Sequence, residues 1–257
     1  MKVATFNVNS INSRLHIVIP WLKEKKPDFF CMQETKVEDR KFPAADFHRL
    51  GYHVLFRGRG GQSGVALASV REPVRFSFGL NGEDEDRLIF ADFGHLKIIN
   101  VYIPQGFRID SEKYAYKLKW LENFYQWLKG LDLSEKILIC GDMNVAPEPI
   151  DVHSPEKLKN HVCFHEDARR AYRKILDLGF VDLLRKMHPN ERIYSFYDYR
   201  VKGAIEKGLG WRVDAILATK PLAEKCISCD VDIKPRLAEK PSDHLPIIAE
   251  FRDEISG

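Results

Sequence analysis

Several common features are missing from this chain, and each absence narrows what it can be. No apolar run approaches the roughly 20 residues needed to cross a bilayer as a helix. Met1 leads almost directly into the first strand-like segment, so no cleaved signal is expected either. The five cysteines are an odd number and do not look like a disulfide framework for 257 residues. A reduced intracellular protein is the expectation, cytoplasmic in a prokaryote and nuclear in a eukaryote, with no membrane partner. Cys31 and Cys140 lie inside apolar runs, where a buried, inert thiol is the default reading. Cys226 and Cys229 have zinc-like spacing, but no second Cys/His pair stands at a matching distance, and coincidence is the better reading. A strong excess of one charge is missing too. The net charge of +3 neither demands nor excludes nucleic acid. Linkers, low-complexity tracts and tandem repeats are not found, so one domain over residues 1–257 is expected.

Apolar content of 44% and charged content of 30% are ordinary for a globular protein. Five short apolar runs, at residues 3–6, 29–32, 98–101, 137–140 and 215–218, read as buried strands. Between them lie helical patterns. The clearest spans 111–130, with Ser111 as cap, Gly130 as stop, and Tyr114, Leu118, Leu121, Tyr125 and Leu128 as its apolar stripe. A second covers 165–178, with Ala168, Tyr172 and Ile175 inward and Gly179 as its end. A third, near 13–26, should be kinked or restarted by Pro20. This alternation predicts an α/β protein. The short, hairpin-like strands of the first hundred residues fit a mixed-sheet sandwich covered by helices better than a purely parallel sheet. Gly58 to Gly64, and the stretch through Gly210, read as turns without dinucleotide or Walker spacing.

Polar residues stand where the apolar runs give out: Asn7 and Asn9, Glu34, Tyr102, Asp142 and Asn144, Asp214, then Asp243 and His244. Sheet proteins gather ligands and catalysts at strand ends. Glu34 and Asn7 make an oxygen pair suited to Mg²⁺, which uses few protein carboxylates. Gly141 allows a sharp exit, after which Asp142 and Asn144 project the same way if the chain stays extended. An Asp there can deprotonate a water that an Asn amide holds, although Gly-Asp-x-Asn could equally be an ordinary turn. Asp243 and His244 are adjacent and so face opposite ways. His244 is then expected to pair with a distant carboxylate, Asp214 being the natural candidate, and to stay protonated against phosphate charge. The loop from Tyr194 to Arg200, followed by Lys202, Lys207 and Arg212, interleaves aromatics with cations. Such loops can wedge into DNA grooves while the cations contact phosphates; an aromatic core under a solvated loop is the alternative.

The segments Phe6-Asn7-Val8-Asn9, Gln33-Glu34-Thr35-Lys36, Tyr102-Ile103-Pro104-Gln105-Gly106, Gly141-Asp142-Met143-Asn144, Gly210-Trp211-Arg212-Val213-Asp214 and Ser242-Asp243-His244 follow one another through nearly the whole chain. In that order they resemble the exonuclease III family of abasic-site endonucleases, within the wider endonuclease/exonuclease/phosphatase superfamily. The resemblance implies a four-layer α/β sandwich, two mixed β-sheets face to face with helices outside. It implies a Mg²⁺-dependent enzyme, with Mn²⁺ a plausible substitute, that cuts duplex DNA 5′ to an abasic site, with 3′→5′ exonuclease or 3′-end-cleaning activity beside it. A monomer is expected. Glu34 would be the principal metal ligand with Asn7 and Asp243 nearby, and Asp142 would activate the attacking water with help from Asn144. His244, held by Asp214, and Tyr102 would contact the scissile phosphate. Phe196, Trp211 and Val213 would form the apolar pocket for a flipped abasic sugar, with Asn9, Lys36, Gln105, Tyr199, Arg200 and Arg212 also binding DNA.

Two positions depart from the family pattern: Ser10 stands where Gly is common, and Val213 where larger aliphatics are common. Asn9, where some members have Asp, is within family range but removes one possible metal carboxylate. Val213 could widen the pocket. Rival readings are a superfamily phosphodiesterase acting on general DNA, RNA, a phospholipid or an inositol phosphate, and a silent DNA-binding protein. Glu34, Asp142 and His244 are all present, which disfavours the last.

Overall fold

The apolar runs become strands because both of their faces are covered. The computed structural model describes residues 1–252, and its strands form two six-stranded mixed sheets. In the first, Lys2–Asn7 runs parallel to Phe29–Gln33 and antiparallel to Ile247–Phe251. Cys226–Val231 closes one edge, and Val65–Ser69 followed by His53–Arg57 closes the other. The second sheet repeats this plan around the parallel pair Lys97–Tyr102 and Ile137–Asp142. Leu88–Asp92 and Arg75–Phe78 extend it on one side, Asp214–Thr219 and Phe180–Asp182 on the other.

Alternate residues of each central strand serve different layers. Val3, Phe29, Cys31 and Val65 of the first sheet meet Ile98, Leu138, Cys140 and Ile216 of the second in the inter-sheet core. The opposite face of the first sheet, with Ala4, Phe6, Phe30 and Met32, packs on Val18, Trp21 and Leu22 of the helix Ile11–Lys25. The outer face of the second, with Ile99, Val101, Ile137 and Ile139, carries the helices Glu112–Leu128 and Glu166–Asp177. Each fully buried Phe, Leu or Ile contributes roughly 1.5–3 kcal/mol to this stack. The result is the expected four-layer α/β sandwich.

The helices follow the sequence with two corrections. Ser111 caps the first long helix by accepting a hydrogen bond from the Tyr114 amide. Its buried face is Tyr114, Lys117, Trp120, Leu121, Phe124 and Leu128, whereas Leu118 and Tyr125 are only partly covered. A lysine thus occupies a core position that an apolar stripe would not include. The helix Ile11–Lys25 runs through Pro20 without a break. Pro20 lies on the exposed face, where water can serve the carbonyl whose partner it removes. Glu166–Asp177 buries Ala168, Tyr172 and Ile175 as expected.

One polar plug crosses the inter-sheet core. Asn100 donates to the carbonyls of Met32 (3.0 Å) and Ala66 (2.8 Å), and Gln33 donates to Asn100 Oδ1 at 2.7 Å. These bonds fix the register of the two parallel pairs against each other. The carboxyl ends of all four strands therefore open at the same edge of the sandwich.

Candidate active site

Asn7, Glu34, Tyr102 and Asp142 lie at or just beyond the ends of those four strands, and Asp214 is paired directly opposite Asp142. The Asn7 amide nitrogen donates to Glu34 Oε1 and to Asp142 Oδ2, both at 2.9 Å. Its oxygen is turned away, accepting the Asn9 amide at 3.0 Å. Asn7 thus links two carboxylates by its nitrogen and does not offer its oxygen beside Glu34. Glu34 is paired with Lys36 at 2.7 Å, and Lys36 also donates to Asn9 Oδ1 at 2.6 Å. Burial pushes the Glu34 carboxyl upward, but Lys36, His244 and Asn7 outweigh it and hold it below the usual range.

Asp142 is buried and accepts the Asn144 amide at 2.9 Å and the Asn144 side chain at 3.3 Å. Asn144 has φ 48°, so the two residues converge through a left-handed turn and not by alternation along an extended strand. Asn9, Glu34 and Lys36 also carry positive φ, at 45°, 50° and 55°. Non-glycine residues in this region store strain, and it collects here around the carboxylates. Gly141 also differs from expectation. It remains within its strand, and a Cβ there would lie 1.9 Å from the Val101 carbonyl oxygen of the neighbouring strand. Close approach, not a sharp exit, requires the glycine.

His244 is buried, with Nδ1 2.8 Å from Asp214 Oδ2 and Nε2 3.8 Å from Asp142 Oδ2. Burial opposes charge on the imidazole, yet Asp214 and Asp142 raise its pKa to about 10, so it is a cation at neutral pH. Burial also pushes Asp142 well above the ordinary carboxylate range; His244 opposes that shift, while Asp214 and Glu34 add to it. Tyr102 is buried beside Glu34 and Asp142, and burial with these charges keeps its hydroxyl protonated. Ser242 ties the motif to the first strand by donating to the Asn7 carbonyl at 2.7 Å.

Glu34, Asp142 and His244 each bring one ligand atom within 4.8 Å of the others, the arrangement among the described residues that can hold a metal ion. His244 is committed to Asp214 and protonated, which leaves carboxylate oxygen as the available donor chemistry. That set fits a hard divalent cation. Asp243 is not part of it; its Oδ1 accepts a hydrogen bond from the Asn9 side-chain Nδ2 at 2.9 Å.

A cavity of about 490 Å³ opens beside this cluster. Its walls include Phe196, Trp211 and Val213, with Glu34, Asn144, Asp243 and His244 at one side and Gln105 and Arg200 at the mouth. The Phe196 and His244 rings lie 4.9 Å apart. Tyr199 is outside it on the rim, donating to the Pro241 carbonyl, with the Arg236 guanidinium 5.1 Å from its ring. Arg212 corrects the expectation of a DNA contact. It is buried beneath the pocket, in a two-point pair with Asp151 (2.6 and 2.9 Å) and a third bond to Asp182 (2.6 Å).

Four residues that line or brace the site did not stand out in the sequence. His161 and Cys163 line the pocket, the His161 ring 4.5 Å from Trp211. Ser195 is buried and accepts the amides of Val213 and Asp214 at 3.2 Å, setting where the Asp214 strand begins. Arg87 stacks 5.0 Å from the Tyr102 ring. They sit on loops without apolar periodicity, so no pattern marked them.

The model of the endonuclease/exonuclease/phosphatase family matches residues 4–244. Exodeoxyribonuclease III of Haemophilus influenzae is 38% identical, over 98% of this chain and 100% of its own. An AP endonuclease structure from Archaeoglobus fulgidus superposes with a TM-score of 0.96 at 73% identity, covering 98% of this chain and 99% of the other. A Neisseria 3′ phosphatase bound to a product DNA hairpin gives 0.94 at 35% identity, over 98% and 99% of the two chains. The chain belongs to the endonuclease/exonuclease/phosphatase family, whose exodeoxyribonuclease III members it matches along their length.

Proposed function

We propose that this DNA-repair nuclease hydrolyses the phosphodiester 5′ to an abasic site in duplex DNA, leaving a 3′-hydroxyl and a 5′-deoxyribose phosphate. The observation that carries the reading is the adjacency of the Asp142–His244–Asp214 chain to an apolar pocket walled by Phe196, Trp211 and Val213. A sugar without a base is small enough to turn out of the stack into such a pocket. The relatives named as an exodeoxyribonuclease and a 3′ phosphatase support an additional action at 3′ ends.

In this mechanism Asp142 orients a water and takes its proton, the raised pKa making it a stronger base than a solvated carboxylate. Asn144 holds Asp142 in place. The water oxygen attacks phosphorus, the bond to the upstream 3′-oxygen breaks, and that oxygen leaves as a hydroxyl once protonated. The His244 cation and the protonated Tyr102 hydroxyl face the negative charge that grows on the phosphate oxygens. Mg²⁺, or Mn²⁺ in its stead, would be held by Glu34 and would supply further positive charge to the phosphate. Asn9, Lys36, Gln105, Tyr199 and Arg200 form the rim against the DNA backbone. The expected state is a monomer.

Asp142→Asn tests the assignment of the base. Turnover should fall about 1,000-fold or more while abasic duplex is still bound. Normal cutting by this variant would remove Asp142 from the role.

A further inference from the structure

Lys117 stands in the helix Glu112–Leu128 at a position that packing would give to an apolar residue, and it is wholly buried. Its ammonium has no carboxylate partner among the described residues. It donates to three backbone carbonyls instead: Gln105 at 3.1 Å, Asn144 at 2.7 Å and Val162 at 2.8 Å. Three N–H donors meet three acceptors, so the group is fully satisfied. Burying a charge this way is costly compared with an aliphatic side chain. Burial pulls the Lys117 pKa down, with Cys163 and Asp142 opposing that shift.

The three carbonyls belong to three separate segments, which also bond to one another: the Asn144 side chain donates to the Ile103 carbonyl at 2.9 Å, and the Ala146 amide donates to the Cys163 carbonyl at 2.7 Å. Gln105 and Asn144 line the cavity, and Val162 lies between His161 and Cys163, which also line it. Asn144 is held in a left-handed conformation (φ 48°) that its neighbours must enforce. Gly106 completes the fit: a Cβ there would lie 3.1 Å from the Lys117 methylene stem and 3.1 Å from Tyr114.

We propose that Lys117 is a positioning residue, whose ammonium clamps the segments at Gln105, Asn144 and Val162 in the one arrangement that aligns Asn144 with Asp142 and closes the pocket wall. Its catalytic consequence rests on the nuclease reading above; the clamp itself does not.

Two measurements separate those claims. The first is steady-state cleavage of an abasic duplex by Lys117→Met, well below its melting temperature. We expect kcat to fall about 100-fold through misalignment, with KM rising no more than about threefold because Gln105 is the one rim residue that Lys117 holds. Lys117→Gln, which keeps two N–H donors, should lie between Met and wild type. Ethylammonium should restore at least about tenfold of the activity lost in Lys117→Ala, while an equal concentration of sodium should not. The second is hydrogen exchange, which needs no turnover. In Lys117→Met or Lys117→Gln, peptides covering 105–106, 144–146 and 161–164 should exchange together at least about tenfold faster, with the central strands unchanged. Wild-type kcat in Lys117→Met, no rescue by the amine, or exchange altered in only one of the three segments would overturn the proposal. If the wild-type enzyme cuts undamaged duplex equally well, the abasic reading falls, and the Lys117 ratios are then read on that duplex.

Discussion

Nδ1 of His244 lies 2.8 Å from one carboxylate oxygen of Asp214, while the other oxygen of Asp214 is buried without a hydrogen-bond partner among the described residues. The carboxylate is therefore directed at the imidazole alone. Burial by itself would lower the His244 pKa, but Asp214 and Asp142 raise it to about 10. The folded value exceeds the unfolded value of about 6.5, so the stabilisation is complete below about pH 6.5 and is lost as pH rises through about 10. In metal-free buffer near pH 6, wild type should melt on the order of 10 °C above Asp214→Asn. That gap should narrow steadily toward pH 10. A gap constant with pH would mean that His244 is neutral in the folded protein.

Arg212 carries stability and not DNA affinity. Its guanidinium serves Asp151 and Asp182 in a region closed to solvent. Arg212→Met removes the guanidinium partner of Asp182 and leaves Asp151 with the guanidinium of Arg185 alone, and should cost about 3–5 kcal/mol, read by urea unfolding. The salt dependence of DNA binding should keep its slope, since no phosphate contact is lost. Burial pushes Asp151 up, but Arg212 and Arg185 hold it below the usual range. Its contribution is thus present above about pH 3.9 and disappears as pH falls through the lower folded value. A flatter salt slope with unchanged stability would return Arg212 to the DNA interface.

Ser10 adopts φ 84°, a region that favours glycine, and its hydroxyl makes no helix-capping bond. The serine that departs from the family pattern is therefore strained. Ser10→Gly should stabilise the protein by about 1 kcal/mol, seen as a rise in melting temperature of about 2–4 °C. Unchanged or lower stability would show that the Ser10–Ser13 hydroxyl contact at 3.1 Å offsets the strain.

Val213 is buried in the pocket wall beside Trp211. Val213→Leu adds one methylene to that wall and should raise the preference for abasic over undamaged duplex by about tenfold. Equal rates on both duplexes before and after the change would detach Val213 from selectivity.

The strands were legible because both faces of the central pairs are buried, so each reads as an unbroken apolar run with its functional residue at the end. The Asp214–His244 pair was legible because neighbours on an extended chain face apart and Asp214 opens its own strand. Lys117 was not, because a lysine at a helical core position looks like an interruption of the stripe until its three carbonyls are seen. Arg212 was misread for a related reason: its partners are 61 and 30 residues away, and beside a basic, aromatic loop it resembled a surface cation. Asn7 was expected to offer an oxygen, but only the fold reveals which end of the amide faces the two carboxylates.

Cleavage of an end-labelled duplex bearing one abasic analogue, with Mg²⁺ and with EDTA, beside undamaged duplex and single-stranded RNA, bears most directly on the proposed activity. The expected result is a Mg²⁺-dependent nick immediately 5′ of the lesion, with the other two substrates largely intact. Equal cutting of undamaged DNA or RNA, or no cutting with Mg²⁺ present, would contradict it.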